Sequence, residues 1–413
     1  VLARASQPSV PLLEAYFEPA VLKRLPAKDR AGMRFAPEVA AFCFPHGVRL
    51  VTADVAAVNA IPVVTSFVLT AADRSRMYGA CIVWYEPLPP AVIQTFLDEH
   101  GALIQLDTAE QAEPNAEGAD GVPQLHAPEA ICLLSREPIF ESLNTCCRQL
   151  FRMRLSNVLT EEALLPLLSA ALPPHGARLD VQLGNVAVPV SIPAANELPY
   201  TMAGRDFLLL FQHLDVSSVI ILWALLLAEQ KVVLQAKQPH VLTMAAETLS
   251  ALLFPFSWQH VYIPILPASL LDILQAPVPY LIGIDEEVHR LAEHEAMLSD
   301  DVVQVDLDSA AIICDPDLAS SIRLPQKQYN KLYKAIAPFC RTAPSLTGGG
   351  VENGLTGRTA FNAAWAFPMA PPPDMETEPA PGAISEMSEV EVRAVVKRIK
   401  AAFLRFFVSL MVR

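Results

Sequence analysis

The sequence predicts an α/β fold in more than one lobe, and three observations carry that prediction. The first is Val216–Ala228 (VSSVIILWALLLA), an apolar run closed by Glu229 and Lys231. It is followed at once by the β-branched strand VVLQA, so a helix packs on a sheet. The second is the stretch from Leu252 to Ile284, LLFPFSWQHVYIPILPASLLDILQAPVPYLIGI, where strands VYIPIL and VPYLIGI flank a short amphipathic helical turn. Pro255, Pro264, Pro267, Pro277 and Pro279 set where each element starts or stops. Asp272 is the only carboxylate in that stretch, which therefore has to be buried. The third is a hairpin, SFVLT and MYGACIVWY, joined through Ala71-Ala72-Asp73-Arg74-Ser75 and alternating as a sheet covered on one side would. A length of 413 residues suits two or three domains, each able to bury its own core.

The elements follow in order. A helix is expected over Pro11–Leu25, then FCFPHGVRL as a strand broken at Pro45-His46-Gly47, then the hairpin, then a helix from Val92 to His100 ending at Gly101. From Asp107 to Pro128 the chain is acidic and Ala/Pro/Gly-rich, the composition of a flexible connection. The strand ICLLS opens a second lobe, followed by a helix from Pro138 to about Met153 whose apolar positions Ile139, Leu143, Cys146, Cys147 and Leu150 recur at helical spacing. Another helix spans Leu159–Leu172, and ARLDVQL pairs with VAVPVSIP around Gly184-Asn185. After a short helix at Phe207–Leu214 come the apolar helix and the proline-punctuated strands. VVQVDLD and AIICD, within Val302–Asp315, close the lobe. Leu324–Cys340 is helical, Arg341–Ser388 has no periodicity and reads as a disordered insert, and Glu391–Arg413 is an amphipathic helix. Val392, Val395, Val396, Ile399, Phe403, Phe406, Phe407 and Leu410 form its stripe, with Arg393, Lys397, Arg398, Lys400 and Arg405 away from it. The divisions are thus 1–106, a linker at 107–128, 129–315 and 316–413.

Composition excludes several function classes. A net charge of −14 argues against nucleic acid as the main partner, because phosphate binding needs a basic excess. The seven cysteines include no CxxC pair and read as reduced thiols, which points to the cytosol. Spanning a bilayer takes about 20 apolar residues and Val216–Ala228 offers about 13, so it is a core helix. There is no G-x-G-x-x-G after a strand, no G-x-x-x-x-G-K-[ST] and no G-x-S-x-G, and Gly348-Gly349-Gly350 precedes no helix. His289, His294 and Glu295 lie near Asp285, Glu286 and Glu287 in sequence; a solvated, charged loop accounts for them better than a metal. His213 and Asp215 read as the end and cap of the short helix at Phe207–Leu214. Neither a cofactor nor a metal is expected.

In this order the segments resemble a known family. FAPEVAAFCFPHGVRL with SFVLTAADRSRMYGACIVWYEPL is similar to the upstream part of the DENN module. ICLLSREPIFESLNTCCRQLFRM through IPILPASLLDILQAPVPYLIGID resembles its central part, and VVQVDLD onward with VRAVVKRIKAAFLRFFVSLMVR its downstream part. The succession FVLT…YG, LLLAEQKVVL, FPFSWQHVYIPILP and APVPYLIGI is the most specific sign. The resemblance implies an N-terminal longin-like lobe joined by a linker to a larger α/β DENN lobe with C-terminal helices. It also implies exchange of GDP for GTP on a Rab-family small GTPase held between the lobes, by a cytoplasmic protein recruited to endomembranes. The downstream part departs from the family pattern in lacking final helices, and the linker and 341–388 look like inserts. Exchange needs no acid or base, since tighter binding of the nucleotide-free GTPase weakens GDP by linkage.

Interface candidates follow from turn chemistry combined with Arg or aromatic side chains. They are Asp73, Arg74 and Arg76 at the hairpin turn, Tyr200, Arg205 and Asp206 in ELPYTMAGRD, and Gln259 and His260 after Trp258. Tyr200, Arg205 and Gln259 stand first. Plain alternatives exist for each group: solvated hairpin charges, a core Trp258, and an Arg205-Asp206 ion pair at a helix start. Two rival functions are a scaffold that holds a GTPase without accelerating release, and a GTPase-activating relative using Arg74, Arg76 or Arg205. The closing helix is expected to pack on the second lobe; the other readings are peripheral contact with an anionic membrane through its basic face, or a partner helix.

Overall fold

A computed structural model describes residues 13, 15–29, 35–71, 75–93, 124–192, 204–340, 360–361 and 387–411. Its first sheet has the order β1-β4-β3-β2 and is antiparallel, built from β1 (Val51–Thr52), β2 (Val63–Thr70), β3 (Arg76–Pro87) and β4 (Leu125–Ser135). Two helices precede β2: α1 (Val39–Cys43) and α2 (Ala53–Val58). The hairpin forms as expected, but both faces of the sheet are covered. Ala80, Ile82 and Trp84 meet Leu143 and Cys147 of α3 (Phe140–Leu155) on one face, and Phe67 and Cys81 join the main core on the other. ICLLS, expected to open the second lobe, pairs instead with β3 throughout, with Cys132 opposite Cys81. Two apolar faces need two covers, and the second cover comes from the later part of the chain.

The N-terminal stretch differs from expectation. Residues 15–29 are not helical: Ala15 and Phe17 point into a small core with Leu50 and Leu125 while Tyr16 faces out, a period of two, and Phe17 bridges to Val48. In FCFPHGVRL, Phe42 and Cys43 end α1 rather than form a strand, and the chain turns at Gly47, whose φ is +81°. The Val92–His100 helix lies, beyond Ile93, outside the described residues, as do most of the 107–128 linker and of 341–388.

The second sheet has the order β12-β11-β10-β7-β9-β8. Its core is parallel, with β7 (Lys231–Gln235), β8 (Val261–Ile263), β9 (Tyr280–Ile284) and β10 (Val302–Asp306), and β11 (Ala311–Ile313) and β12 (Ala360–Phe361) continue it antiparallel. Beside it, α4 (Glu161–Ser169) and the hairpin β5 (Arg178–Leu183) and β6 (Val186–Ser191) form a satellite against α3. Of the two turn residues only Gly184 has positive φ, at +59°, as a type II′ turn requires. A 3-10 turn (Arg205–Leu208) leads into α5 (Leu209–His213) and the apolar α6 (Val216–Leu227), which is buried from Val216 to Leu226. Asp215 caps α6 by accepting from the Ser218 N–H and hydroxyl, so it starts this helix rather than ending the one before.

Sequence reasoning missed α7 (Pro239–Leu252), with Pro239 at its first position. Its residues from Val241 to Leu249 are all buried, so no polar stripe betrays a period. This helix is shared by both sheets: Thr243 donates to the Ser66 carbonyl of β2 (2.6 Å), and Leu242 packs near Gly283 of β9. After β9, Asp285 caps α8 (Glu286–His294), where the sequence suggested a loop. α9 (Pro316–Ser321), α10 (Gln326–Ile336) and α11 (Glu389–Met411) complete the described fold. The stripe of α11 packs on the second lobe, with Phe403, Phe406 and Phe407 each 5.1 Å from the Trp223 ring of α6. All seven cysteines are free thiols. Among the described residues no single helix is long and apolar enough to cross a membrane.

Candidate functional site

The two sheets meet along a seam made by β2, α7 and β8. Thr70 donates to the Tyr262 carbonyl (3.0 Å), and the Tyr262 hydroxyl donates to the buried Glu247 of α7 (2.5 Å). Arg76 lies over the Tyr262 ring at 4.3 Å, so it joins the lobes instead of standing free in solvent. Burial and then the Glu247 charge raise Tyr262 well above the ordinary tyrosine range, and the same two causes push Tyr78 up to about 12, with Arg76 opposing both. Both phenols are therefore neutral; Tyr262 donates to Glu247, and Tyr78 accepts from Arg76.

Of the other residues singled out in the sequence, Asp73, Arg74 and Tyr200 lie outside the described residues. Gln259 is exposed and folds back onto Ser257, while His260 pairs with Glu229 (3.0 Å) and meets the Trp258 ring edge-on. Trp258 is core, 7 % exposed, and donates to the Val261 carbonyl. Gln259 and His260 thus precede Tyr262 on the strand against which Arg76 lies. Arg205 and Asp206 sit elsewhere, at the first turn of α7: Arg205 donates to the Met387 carbonyl just before α11, and Asp206 lies 3.6 Å from His240. Of the plain alternative for this pair the helix start holds, since Arg205 opens the 3-10 turn, while the side chains meet Met387 and His240.

A second junction between the lobes went unrecognised in the sequence. His46, from the turn after α1, places Nε2 2.5 Å from Asp285 and Nδ1 2.5 Å from Glu287, at the start of α8. Tyr16 donates to Glu287 (2.8 Å), Arg49 stands 3.5 Å from it and over the Tyr16 ring, and the Ala268 N–H donates to the Pro45 carbonyl. Pro45-His46-Gly47 and Asp285-Glu286-Glu287 were each visible as turn and charge cluster; their meeting was not. Asp285 and Glu287 face His46, and among the described residues no group of three or more His, Cys, Asp or Glu is arranged to hold a metal ion.

An imidazole that meets carboxylates at both nitrogens must be protonated to donate twice. Burial opposes the charge on His46, but the Glu287 hydrogen bond and the Asp285 and Glu287 charges outweigh it and raise its pKa. The His46 hydrogen bond leads in lowering Glu287 to about 2, while burial raises Asp285. A raised histidine stabilises the fold fully below its unfolded value and loses that contribution as pH rises through the folded value. Glu287 stays ionised throughout this window. Wild-type thermal stability is thus expected to fall as pH rises from the ordinary histidine value, about 6.5, through the raised folded value, a limb that His46→Gln should lack. Equal slopes in calorimetric melts of the two proteins would disprove the charged clasp.

At the carboxyl ends of β7, β9 and β10 lies an open polar hollow lined by Gln235, Lys237, Glu286, Asp306, Asp308 and Ser309. Asp306 accepts from the Asp308 and Ser309 N–H groups of its own turn, and Asp308 accepts from the Lys237 N–H after β7 at 2.8 Å. Comparison with known proteins agrees with this architecture. Residues 126–310 match the model of the DENN (AEX-3) domain and residues 19–84 that of the uDENN domain, and the chain belongs to the DENN-domain family. It is also similar to the DENN domain and WD repeat-containing protein SCD1 of Arabidopsis thaliana, 25% identical over 354 residues. The match covers 82% of this chain and 27% of that protein. DENN-domain proteins are in general regulators of small GTPases.

Proposed function

We propose that this chain is a guanine nucleotide exchange factor for a Rab-type small GTPase in membrane traffic, working by differential binding without covalent chemistry. The observation that carries the reading is the succession of uDENN and DENN regions folded as two sheets sharing α7. A rigid pair of lobes suits the task, because each kcal/mol of preference for the emptied GTPase weakens GDP equally. Arg76 is engaged with Tyr262, which favours exchange over an arginine-finger role for that residue. The exposed Gln259 and Arg205 remain the first side chains to test as GTPase contacts.

The test is release of mant-GDP from a panel of Rab proteins with and without the full chain. For the cognate Rab, a coupling of about 2 kcal/mol would weaken GDP roughly thirtyfold and speed its release. A chain that binds Rab proteins yet leaves every release rate unchanged would be a scaffold.

A further inference from the structure

We propose that α10 and α11 together form a docking surface for an anionic phospholipid bilayer. In a chain of net charge −14, Gln326–Ile336 contains no carboxylate and neither does the stretch from Val392 to Met411. Both helices lie on α6: Tyr329 of α10 meets Ser217, and α11 stacks its three phenylalanines on Trp223. They also touch each other, with Arg398 over the Phe339 ring just after α10. The faces turned away from α6 carry Lys327, Lys331 and Lys334 on one helix and Arg393, Lys397 and Arg405 on the other, all exposed. Positions 327, 331 and 334 share one side of α10, as 393 and 397 share one side of α11.

Charge alone would suit any polyanion; the far end of α11 decides for lipid. There Val408 is 48 % and Met411 63 % exposed, and Phe256, itself 56 % exposed, stacks on Phe407 beside them. Cationic side chains along a helix pair with apolar groups at one end match a headgroup layer above acyl chains, whereas a nucleic acid or an acidic peptide offers nothing to those apolar groups. Glu389 and Glu391 sit in the first turn of α11, where Glu391 is held by the Ser388 N–H and hydroxyl as a capping box; Glu389 and Glu141 of α3 lie near Arg393, so Lys397, Arg405 and the three lysines of α10 carry most of the contact. Because the distant acidic surface is screened within about 8 Å at physiological salt, the local basic face governs contact.

The experiment is flotation of the full chain with phosphatidylcholine vesicles and with vesicles of phosphatidylcholine plus phosphatidylserine. Binding is expected only to the second, and weaker at high salt. Two separate pairs, K327Q with K331Q on α10 and R393Q with K397Q on α11, should each lower partition about thirtyfold, taking roughly 1 kcal/mol per cation. V408S with M411S should lower it with the charges intact. These side chains are exposed, so melting curves should match the wild type. The proposal falls if the chain ignores phosphatidylserine, if the α10 pair has no effect, or if RNA binds through these residues while vesicles do not. Nucleotide release from a soluble Rab is indifferent to this surface, so failure of either idea leaves the other standing.

Discussion

Gly283→Ala is expected to abolish the folded second sheet or cost it about 4 kcal/mol or more, a large share of a stability typically of about 5–15 kcal/mol. Gly283 lies in β9 between β7 and β8. A methyl group there would stand 2.0 Å from the Pro264 carbonyl oxygen, 2.9 Å from its carbon and 3.1 Å from Cβ of Leu242. The first two atoms are backbone, fixed in turn because the Leu266 N–H donates to the Gly283 carbonyl at 2.8 Å. No rotamer relieves that contact; either the chain crossing at 264–266 lifts away or β9 slips. Gly79→Ala is a useful contrast, since the three atoms nearest its methyl all belong to the Phe67 side chain, although that ring is wholly buried. Calorimetry and circular dichroism of both variants give the measurement. A Gly283→Ala melting curve within a degree or two of wild type would refute the close approach.

Trp223→Ala is expected to cost about 3–5 kcal/mol, the usual range for emptying so large a buried site. Trp223 is completely buried, donates to the Leu252 carbonyl at 3.0 Å, and holds three phenylalanines of α11 around its indole. Its loss leaves a cavity and an unpaired carbonyl between α6 and α7, and removes the anchor of the final helix. Trypsin should then cut at Lys397 and Arg405 much faster than it does in the wild type, and vesicle binding should fall with the loosening of α11. Trp223→Phe keeps much of the volume and should lie between. If α11 remained as resistant as in the wild type, its stripe would be held by the remaining contacts, and the indole would not be the anchor.

The proposed surfaces were legible to different degrees. Gln259, Arg205 and Arg393, Lys397, Arg398 and Arg405 of α11 were visible as polar side chains in turns or off an apolar stripe, because exposure follows from local pattern, whereas Lys400, placed with them, is 5 % exposed and lies over the Phe207 ring. The engagement of Arg76 was not, since the Tyr262 ring and the Glu247 carboxylate beneath it arrive from β8 and α7. His46 was invisible for the same reason: its two carboxylates are 241 residues or nearly so along the chain, and a turn histidine carries no sign of what it will face. The contribution of α10 to the basic face likewise required knowing that two helices lie side by side on α6.

By itself the sequence determined the α/β class, the buried α6, the proline-bounded strands, the β5–β6 hairpin and the apolar stripe of α11. Each is written in a period or a stop signal that acts over a few residues. Tertiary structure decided what local signals do not encode. It placed ICLLS in the first sheet, made α7 a layer common to both sheets, and turned a charged stretch into the capped helix α8. It also drew the residues around Tyr16 out of the helix their composition suggested and into a small core of their own. The physical reason is common to all four. Where a segment is buried on every side, or pairs with a strand far along the chain, long-range burial outweighs the fraction of a kcal/mol by which local propensity distinguishes one conformation from another.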